Sequence, residues 1–317
     1  MEIFGNLING TLVFATAFIF AALGGLISER AGVINIGLEG FMVSGAFFTA
    51  IFAHYAEAAG VGAFSPWIGI IGAFVCTAVF SAIHAVATIK FKANQVVSGV
   101  VINILAASST FFLVKMLFDG AAESPLLTNV FHKVTIPYLS DIPFIGDAFF
   151  NAYPTTYIAI GLVIALFFIL FKTSVGLRLR AVGENPSAAA TVGVKVNRTR
   201  YVAVILSGCI AALGGATIVL TSNGNFSFNT ISGQGYIALA AVIFGKWHPI
   251  GAMLAALFFG LAQAVKDQLQ IFDFAAKLPI EFFYMLPYVL TLLVLIGAVG
   301  KSRAPKALGE PYEVGKR

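Results

Sequence analysis

The chain has 317 residues, of which 59% are hydrophobic and 10% charged, and its mean hydropathy is +0.94. A soluble domain carries about 25% charged residues, so this composition excludes a soluble enzyme and an exported binding protein. It predicts one helical membrane unit, since each crossing uses about 20 apolar residues. Cys76 and Cys209 lie in apolar runs, and the histidines are dispersed, so neither a disulfide framework nor a metal site is expected.

Successive apolar runs along the chain are predicted to be membrane-spanning helices, because lipid offers an open backbone no hydrogen-bond partners. They lie at about 7–27, 34–53, 67–89, 95–118, 155–171, 201–221, 231–245, 249–265 and 282–300. The run 231–245 is the weakest, since about 15 residues barely cross a hydrocarbon core. The predicted fold class is an all-α polytopic transmembrane bundle of about nine spans, or ten helices when broken segments are counted.

Lys and Arg are distributed unequally between the loops on the two sides of this bundle. Of the 19 such residues, four lie on one side: Lys115, Lys133, Lys266 and Lys277. All the others lie on the opposite side, which the positive-inside rule makes cytoplasmic. The net charge of +5 therefore reflects topology and gives no reason to expect nucleic acid as a partner.

This orientation divides the chain into a transmembrane domain, residues 1–300, and a cytoplasmic tail, residues 301–317. Residues 119–154 form an external loop and residues 172–200 an internal one. The tail is polar and contains proline, so we expect it to be disordered.

The sequence repeats itself. Ala-Ala-Leu-Gly-Gly at 21–25 recurs at 211–215, an offset of 190 residues. Residues 36–42 resemble residues 231–237, an offset of 195. The order of the two matches is the same in both copies, so we infer an internal repeat.

The two copies have opposite orientations in the membrane. The first span runs inward to Arg30, whereas the span 201–221 runs outward from Arg200. Inverted repeats are typical of transporters. The predicted repeat halves are about 7–118 and 201–300.

The Gly-interrupted segments at about 28–40 and 222–236 are predicted to mark the transport path. Glu39 and Gln234 occupy matched positions in them. An ionisable group within the membrane is a functional candidate. The alternative is that Glu39 anchors the broken helix through exposed backbone amides or Arg30. Four more amides either line the path or bond neighbouring helices: Asn35, Asn103, Asn223 and Asn225.

The internal loop contains the signature of a short helix. Asn185 is a suitable N-cap, Pro186 suits the first helical position, and Gly193 supplies a stop. These residues predict a helix of about two turns, exposed to the cytosol. It is either a protruding helix that docks in a groove on a cytosolic partner or a solvated helix within a loop.

Two motifs resemble a known family. They are Glu-Arg-Ala-Gly-Val-Ile-Asn-Ile-Gly-Leu-Glu-Gly at 29–40 and Gly-Leu-Arg-Leu-Arg-Ala-Val-Gly-Glu-Asn-Pro-Ser-Ala-Ala at 176–189. They resemble the permease subunits of bacterial ATP-binding-cassette importers for simple sugars, branched-chain amino acids and nucleosides. The residues Ser28-Glu29-Arg30, at the beginning of the first motif, look most like those of the nucleoside permeases. The resemblance covers nearly the whole chain and implies a multi-pass protein of the bacterial plasma membrane.

The resemblance further implies that residues 183–193 are the coupling helix, which docks on a separate ATPase. The coupling residues would be Gly183, Glu184, Asn185, Pro186, Ala189 and Ala190. The implied partners are a sister permease, a fused two-domain cytosolic ATPase and a lipid-anchored external binding protein. No cofactor is expected in this chain, because Gly300-Lys301-Ser302 lacks the first glycine and the preceding strand of a phosphate-binding loop.

The expected cargo is a nucleoside, which has both a flat base and hydroxyl groups. Phe226 and Phe228, beside Asn223 and Asn225, either offer stacking and hydrogen bonds or simply pack an external loop. A simple-sugar permease is the alternative within the family. A secondary transporter or channel is a further alternative, but it needs coupling carboxylates or a filter, and Glu39 is the one plausible buried carboxylate.

Overall fold

The computed structural model describes residues 2–135, 151–270 and 303–313, with Phe282, Met285 and Val289 as isolated positions. Ten α-helices form in the described part of the chain. They are α1 (Glu2–Arg30), α2 (Leu38–Ala58), α3 (Ser65–Ala85), α4 (Gln95–Leu117), α5 (Pro154–Lys172), α6 (Ser174–Glu184), α7 (Pro186–Thr191), α8 (Val196–Ile218), α9 (Gln234–Phe244) and α10 (Pro249–Leu269). Strands β1 (Val134–Thr135) and β2 (Asn151–Ala152) form a two-residue antiparallel pair.

Short irregular turns extend some of these helices. A 3-10 turn, Gly62–Phe64, precedes α3, and a π-helical segment, Val86–Lys90, follows it. A second π-helical segment, Val219–Asn223, extends α8. The chain therefore leaves α-helical geometry shortly before α9 begins, in the second Gly-interrupted segment.

Six of the described helices are long and apolar enough to cross a membrane: α1, α3, α4, α5, α8 and α10. They confirm six of the predicted spans. Helix α2 has the length of a span but carries Glu39, His54 and Glu57, and α9 has only 11 residues. The predicted span 282–300 lies outside the described residues except at three positions. The total of nine spans stays a prediction.

Helices α1 and α8 cross antiparallel at the centre of the bundle. A Cβ on Gly24 would overlap the carbonyl oxygen of Ser207, and a Cβ on Gly214 would lie 2.6 Å from that of Ala17. Each glycine thus lets the partner backbone occupy the place of a side chain. Helix α2 crosses α8 as closely, because Gly45 lies against Ala212.

Charged residues from distant parts of the chain meet at one end of the bundle, which we call the basic face. Lys92 Nζ lies 3.0 Å from Glu313 Oε1, and Arg200 donates a 2.9 Å hydrogen bond to the carbonyl of Glu310. At the same end, the Arg30 side chain donates to the carbonyl of Trp247 over 2.8 Å.

The expectation of a disordered tail was wrong for residues 303–313, which pack on the basic face. The amide of Ala307 donates to the carbonyl of Gly183 over 2.9 Å, and that of Gly309 to the carbonyl of Gly32 over 3.2 Å. Ala307 is buried, and Tyr312 packs beside α7. The sequence of this segment predicts disorder because it is polar and contains proline. Its backbone hydrogen bonds and the contacts of Ala307 and Tyr312 hold it in place.

Candidate functional site

The carboxylate of Glu39 closes the N-terminus of α9. Its two oxygens accept hydrogen bonds of 2.6 Å each from the backbone amides of Gly233 and Gly235. The first amides of a helix lack intrahelical partners and carry partial positive charge, so a carboxylate is stabilised there. The anchoring alternative for Glu39 is therefore the observed one. The amides lie in the predicted second copy of the repeat, and Arg30 bonds Trp247 instead.

A side chain from α4 closes the N-terminus of α2 in a similar way. Asn103 Oδ1 accepts a 2.8 Å bond from the amide of Gly40. Its Nδ2 donates to the carbonyl of Ile36 and to the hydroxyl of Tyr236, each over 3.0 Å. Asn103 thus links the beginning of α2 to the beginning of α9.

These contacts bring the beginnings of α2 and α9 together at a site that we call the broken-helix junction. A Cβ on Gly235 would overlap the backbone of Glu39, so the two helices touch here. The side-chain oxygen of Gln234 is buried without a hydrogen-bond partner among the described residues. The Tyr236 side chain is 47% exposed. The junction therefore offers one free acceptor and one accessible ring.

The remaining amides of the predicted path make other contacts. Asn35 is fully buried and donates a 2.7 Å bond to the Ser207 hydroxyl, so it joins the loop between α1 and α2 to α8. Asn223 is exposed, and Asn225 donates to Glu123 over 3.1 Å at the opposite end of the bundle from the basic face. The structure brings Glu39, Asn103 and Gln234 together and places Asn223 and Asn225 apart from them. Asn35 directly precedes Ile36, whose carbonyl accepts the bond from Asn103.

The loop after α4 runs along the unwound segment that follows α8. The amide of Ser124 donates to the carbonyl of Phe226, and the amide of Phe226 donates to the Ser124 hydroxyl, over 2.8 and 2.9 Å. Phe226 is 2% exposed and packs edge-on against Phe47, so it is a packing residue. Phe228 is 55% exposed and remains accessible.

The short helix of the internal loop forms as predicted. Helix α7 spans Pro186–Thr191, and Asn185 Oδ1 accepts a 2.9 Å bond from the amide of Ala188. Gly193 ends it with a φ of 84°, a value that glycine adopts without steric cost. The N-cap, the proline and the terminal glycine all take the positions that the sequence indicates.

Helix α7 is exposed on one face only. Gly183 is buried against the backbone of Arg30, and Ala189 is 4% exposed in a cluster with Val182 and Val196. The residues that face outward are Glu184, Asn185, Ser187, Ala188, Thr191 and Val192. Pro186 and Ala190 are half-buried. The surface that a partner can reach therefore differs from the predicted set.

Trp247 was not predicted from the sequence to be a site residue, but it forms hydrogen bonds to the last two residues of α1. Its indole nitrogen donates a 2.5 Å bond to the buried carboxylate of Glu29, and its carbonyl accepts from Arg30. Burial, and then the charge of Arg30, lower the pKa of the neighbouring His248. No spacing in the sequence indicates this pairing, because more than two hundred residues separate its members.

Comparison with known proteins gives consistent matches over most of the chain. Residues 7–295 match a family described as "Branched-chain amino acid transport system / permease component". The guanosine ABC transporter permease protein NupQ of Bacillus subtilis is 47% identical over 318 residues, covering 100% of this chain and 99% of that protein. The nucleoside ABC transporter permease protein NupC of Lactococcus lactis is 41% identical, covering 96% of each. TsgC13 of Haloferax volcanii, named provisionally as a glucose ABC transporter permease, is 35% identical and covers 87% and 81%.

Proposed function

This chain belongs to the family of branched-chain amino acid transport system permease components, and from that membership we propose that it is the transmembrane permease subunit of an ATP-binding-cassette importer that moves nucleosides. The proposed substrate class is supported by the 47% identity, over the whole chain, to a protein named for guanosine transport. A simple sugar is the second candidate, because one relative at 35% identity is named for glucose.

The contacts at the centre of the bundle support the inverted repeat. Gly24 lies against Ser207, and Ala17 lies against Gly214. Shifting 17 and 24 by the 190-residue offset gives 207 and 214, so the two contacts map onto each other. A two-fold axis between the halves produces such reciprocal pairs. Transport would then proceed by rocking the two halves about the junction.

At the broken-helix junction, the proposed path takes its polar groups from α9. The free oxygen of Gln234 would accept a hydrogen bond from a sugar hydroxyl or a base N–H group. The half-exposed ring of Tyr236 would stack on the base. Glu39 holds the beginning of α9 in place and, in this proposal, is a positioning residue for both.

The energy would come from a separate cytosolic ATPase through the exposed face of α7. The buried face of the helix packs on α6, α8 and the tail, so a force on α7 is transmitted to the bundle. A sister permease and an external substrate-binding lipoprotein complete the proposed importer, and the chain lies in the bacterial plasma membrane with its basic face inside.

Uptake of labelled guanosine by cells that express the complete importer tests the substrate. Excess unlabelled nucleosides should reduce uptake strongly, whereas ribose and glucose should leave it unchanged. Uptake of labelled ribose or glucose, with no uptake of guanosine, would replace the nucleoside with the second candidate. Uptake that persists without the ATPase would favour a secondary transporter.

A matched pair of substitutions tests the docking surface. Ala188→Arg places a large charge on the exposed face of α7, so the chain should fold normally, fail to co-purify with its ATPase and lose uptake. Ala189→Arg places the same charge in a buried cluster and should lower the thermal stability of the chain itself. Normal co-purification of the Ala188→Arg variant would contradict docking at α7.

The orientation is tested with single cysteines in a background without Cys76 and Cys209. Cysteine at Ala122 should react with an impermeant reagent in intact cells, and cysteine at Ser187 only after lysis. Both positions are exposed in the structure, so a reversed pattern would overturn the orientation.

A further inference from the structure

We propose that the basic face carries a binding site for one anionic phospholipid. An apolar groove of about 670 Å³ runs between α5, α6, α8 and the turn 192–195, and we call it the lipid groove. Its volume is in the range of known small-molecule sites and suits part of an acyl chain. The proposal is independent of which substrate the protein transports.

The groove is apolar along its length. Its floor is formed by Leu170 and Ala203, which are 2% and 1% exposed. Its walls are formed by side chains that remain open to the surroundings: Val175, Val202 and Leu206 are 63%, 51% and 40% exposed. An apolar occupant would pack against these side chains along the groove.

Three basic side chains line the mouth of the groove: Arg178, Lys195 and Arg198. All three are exposed, and none of the residues that line the groove is acidic. They lie close to the points where the span α5 ends, at Lys172, and the span α8 begins, at Val196. This is the level at which headgroups meet hydrocarbon, so the charges face the phosphates of the lipid.

Helix α6 has the character of a helix that lies in the membrane surface. Val175 is 63% exposed, and it lines the groove together with Arg178, which lies three residues further along the helix. An exposed apolar side chain beside a basic one on the same face is typical of interfacial helices. The groove therefore opens toward the lipid and not toward bulk water.

Charge complementarity selects an anionic phospholipid as the occupant. The occupant must be apolar along the groove and negative where it meets the three basic side chains that line it. A zwitterionic lipid meets the first requirement only. Val192, at the end of α7, is 79% exposed and also lines the groove, so the bound lipid would touch the coupling helix.

The test measures lipid binding by native mass spectrometry of the purified full-length chain with added dioleoylphosphatidylglycerol or dioleoylphosphatidylcholine. The groove variant combines Arg178→Gln, Lys195→Gln and Arg198→Gln. The control combines Lys90→Gln, Lys246→Gln and Arg303→Gln, which removes the same charge from exposed positions outside the groove. Wild type and control should retain phosphatidylglycerol at least about tenfold more tightly than phosphatidylcholine, and the groove variant should lose that preference.

Two further variants complete the test. Val202→Trp fills the groove without changing charge and should also reduce retention of phosphatidylglycerol, whereas Val100→Trp, on the exposed face of α4, should not. Thermal unfolding of each variant checks that the fold is kept. Equal phosphatidylglycerol retention by the groove variant and the control would overturn the proposal. A photo-crosslinker at Val202 that captures a protein in cells, and no lipid, would also overturn it.

Discussion

Replacement of Glu39 tests whether one carboxylate holds the beginnings of α2 and α9 together. Its oxygens accept bonds of 2.6 Å from the amides of Gly233 and Gly235, which lie 194 and 196 residues away in the sequence. A hydrogen bond to a charged group contributes about 1.5–3 kcal/mol. Glu39→Ala removes two such bonds and should lower the free energy of unfolding by about 3–6 kcal/mol.

Glu39→Gln is the milder change. One amide keeps an acceptor oxygen, although a neutral one, and the other faces an NH2 group that cannot accept a bond. We expect a loss of about 2–4 kcal/mol, since one bond is weakened and one is lost. Both variants should reduce uptake, because the beginning of α9 is no longer held against α2.

Glu57 supplies the matched control. It too accepts two hydrogen bonds from backbone amides, those of Thr128 and Asn129 over 3.1 and 2.6 Å, but at the more exposed end of α2, away from the basic face. Glu57→Gln should therefore change stability by about 1 kcal/mol or less. Thermal unfolding of the purified chains in detergent gives the stabilities, and uptake in cells gives the function. If Glu39→Ala had the melting temperature of the wild type and transported normally, the two hydrogen bonds of Glu39 would not stabilise the protein.

Three other predictions follow from close contacts in the structure. Gly235→Ala should lower the free energy of unfolding by about 1–3 kcal/mol or more, because the added Cβ overlaps Glu39. In the control Gly161→Ala, on α5, the added Cβ meets nothing within 4 Å, so this variant should melt no lower than wild type. Trp247→Phe removes one hydrogen-bond donor to the buried Glu29 side chain and should lower the free energy of unfolding by about 1–3 kcal/mol. An unchanged melting temperature would contradict that. Deletion of residues 303–317 removes the backbone bonds to Gly183 and Gly32, so trypsin should cleave the segment 172–200 faster. An unchanged cleavage rate would mean that the tail does not restrain that segment.

Local chemistry in the sequence determined the helices and one of their caps. Six spans follow from runs of apolar residues, because lipid leaves the backbone no other partner. Helix α7 follows from Asn185, Pro186 and Gly193, since each acts within about one turn of its own position. The matched positions of Glu39 and Gln234 are likewise visible in the sequence, and both lie in the first turn of a helix.

Only the tertiary structure decided what those residues touch. The partner of Glu39 is a pair of amides almost two hundred residues away, and no window of sequence contains both sides of that contact. Ala189 looks like an exposed residue on a short helix, but the tail and α8 bury it. The tail itself looks disordered because its stabilising bonds are to carbonyls of segments that are distant in the sequence. Composition and periodicity describe a segment, whereas burial and hydrogen bonding at a site depend on which segments the fold brings together.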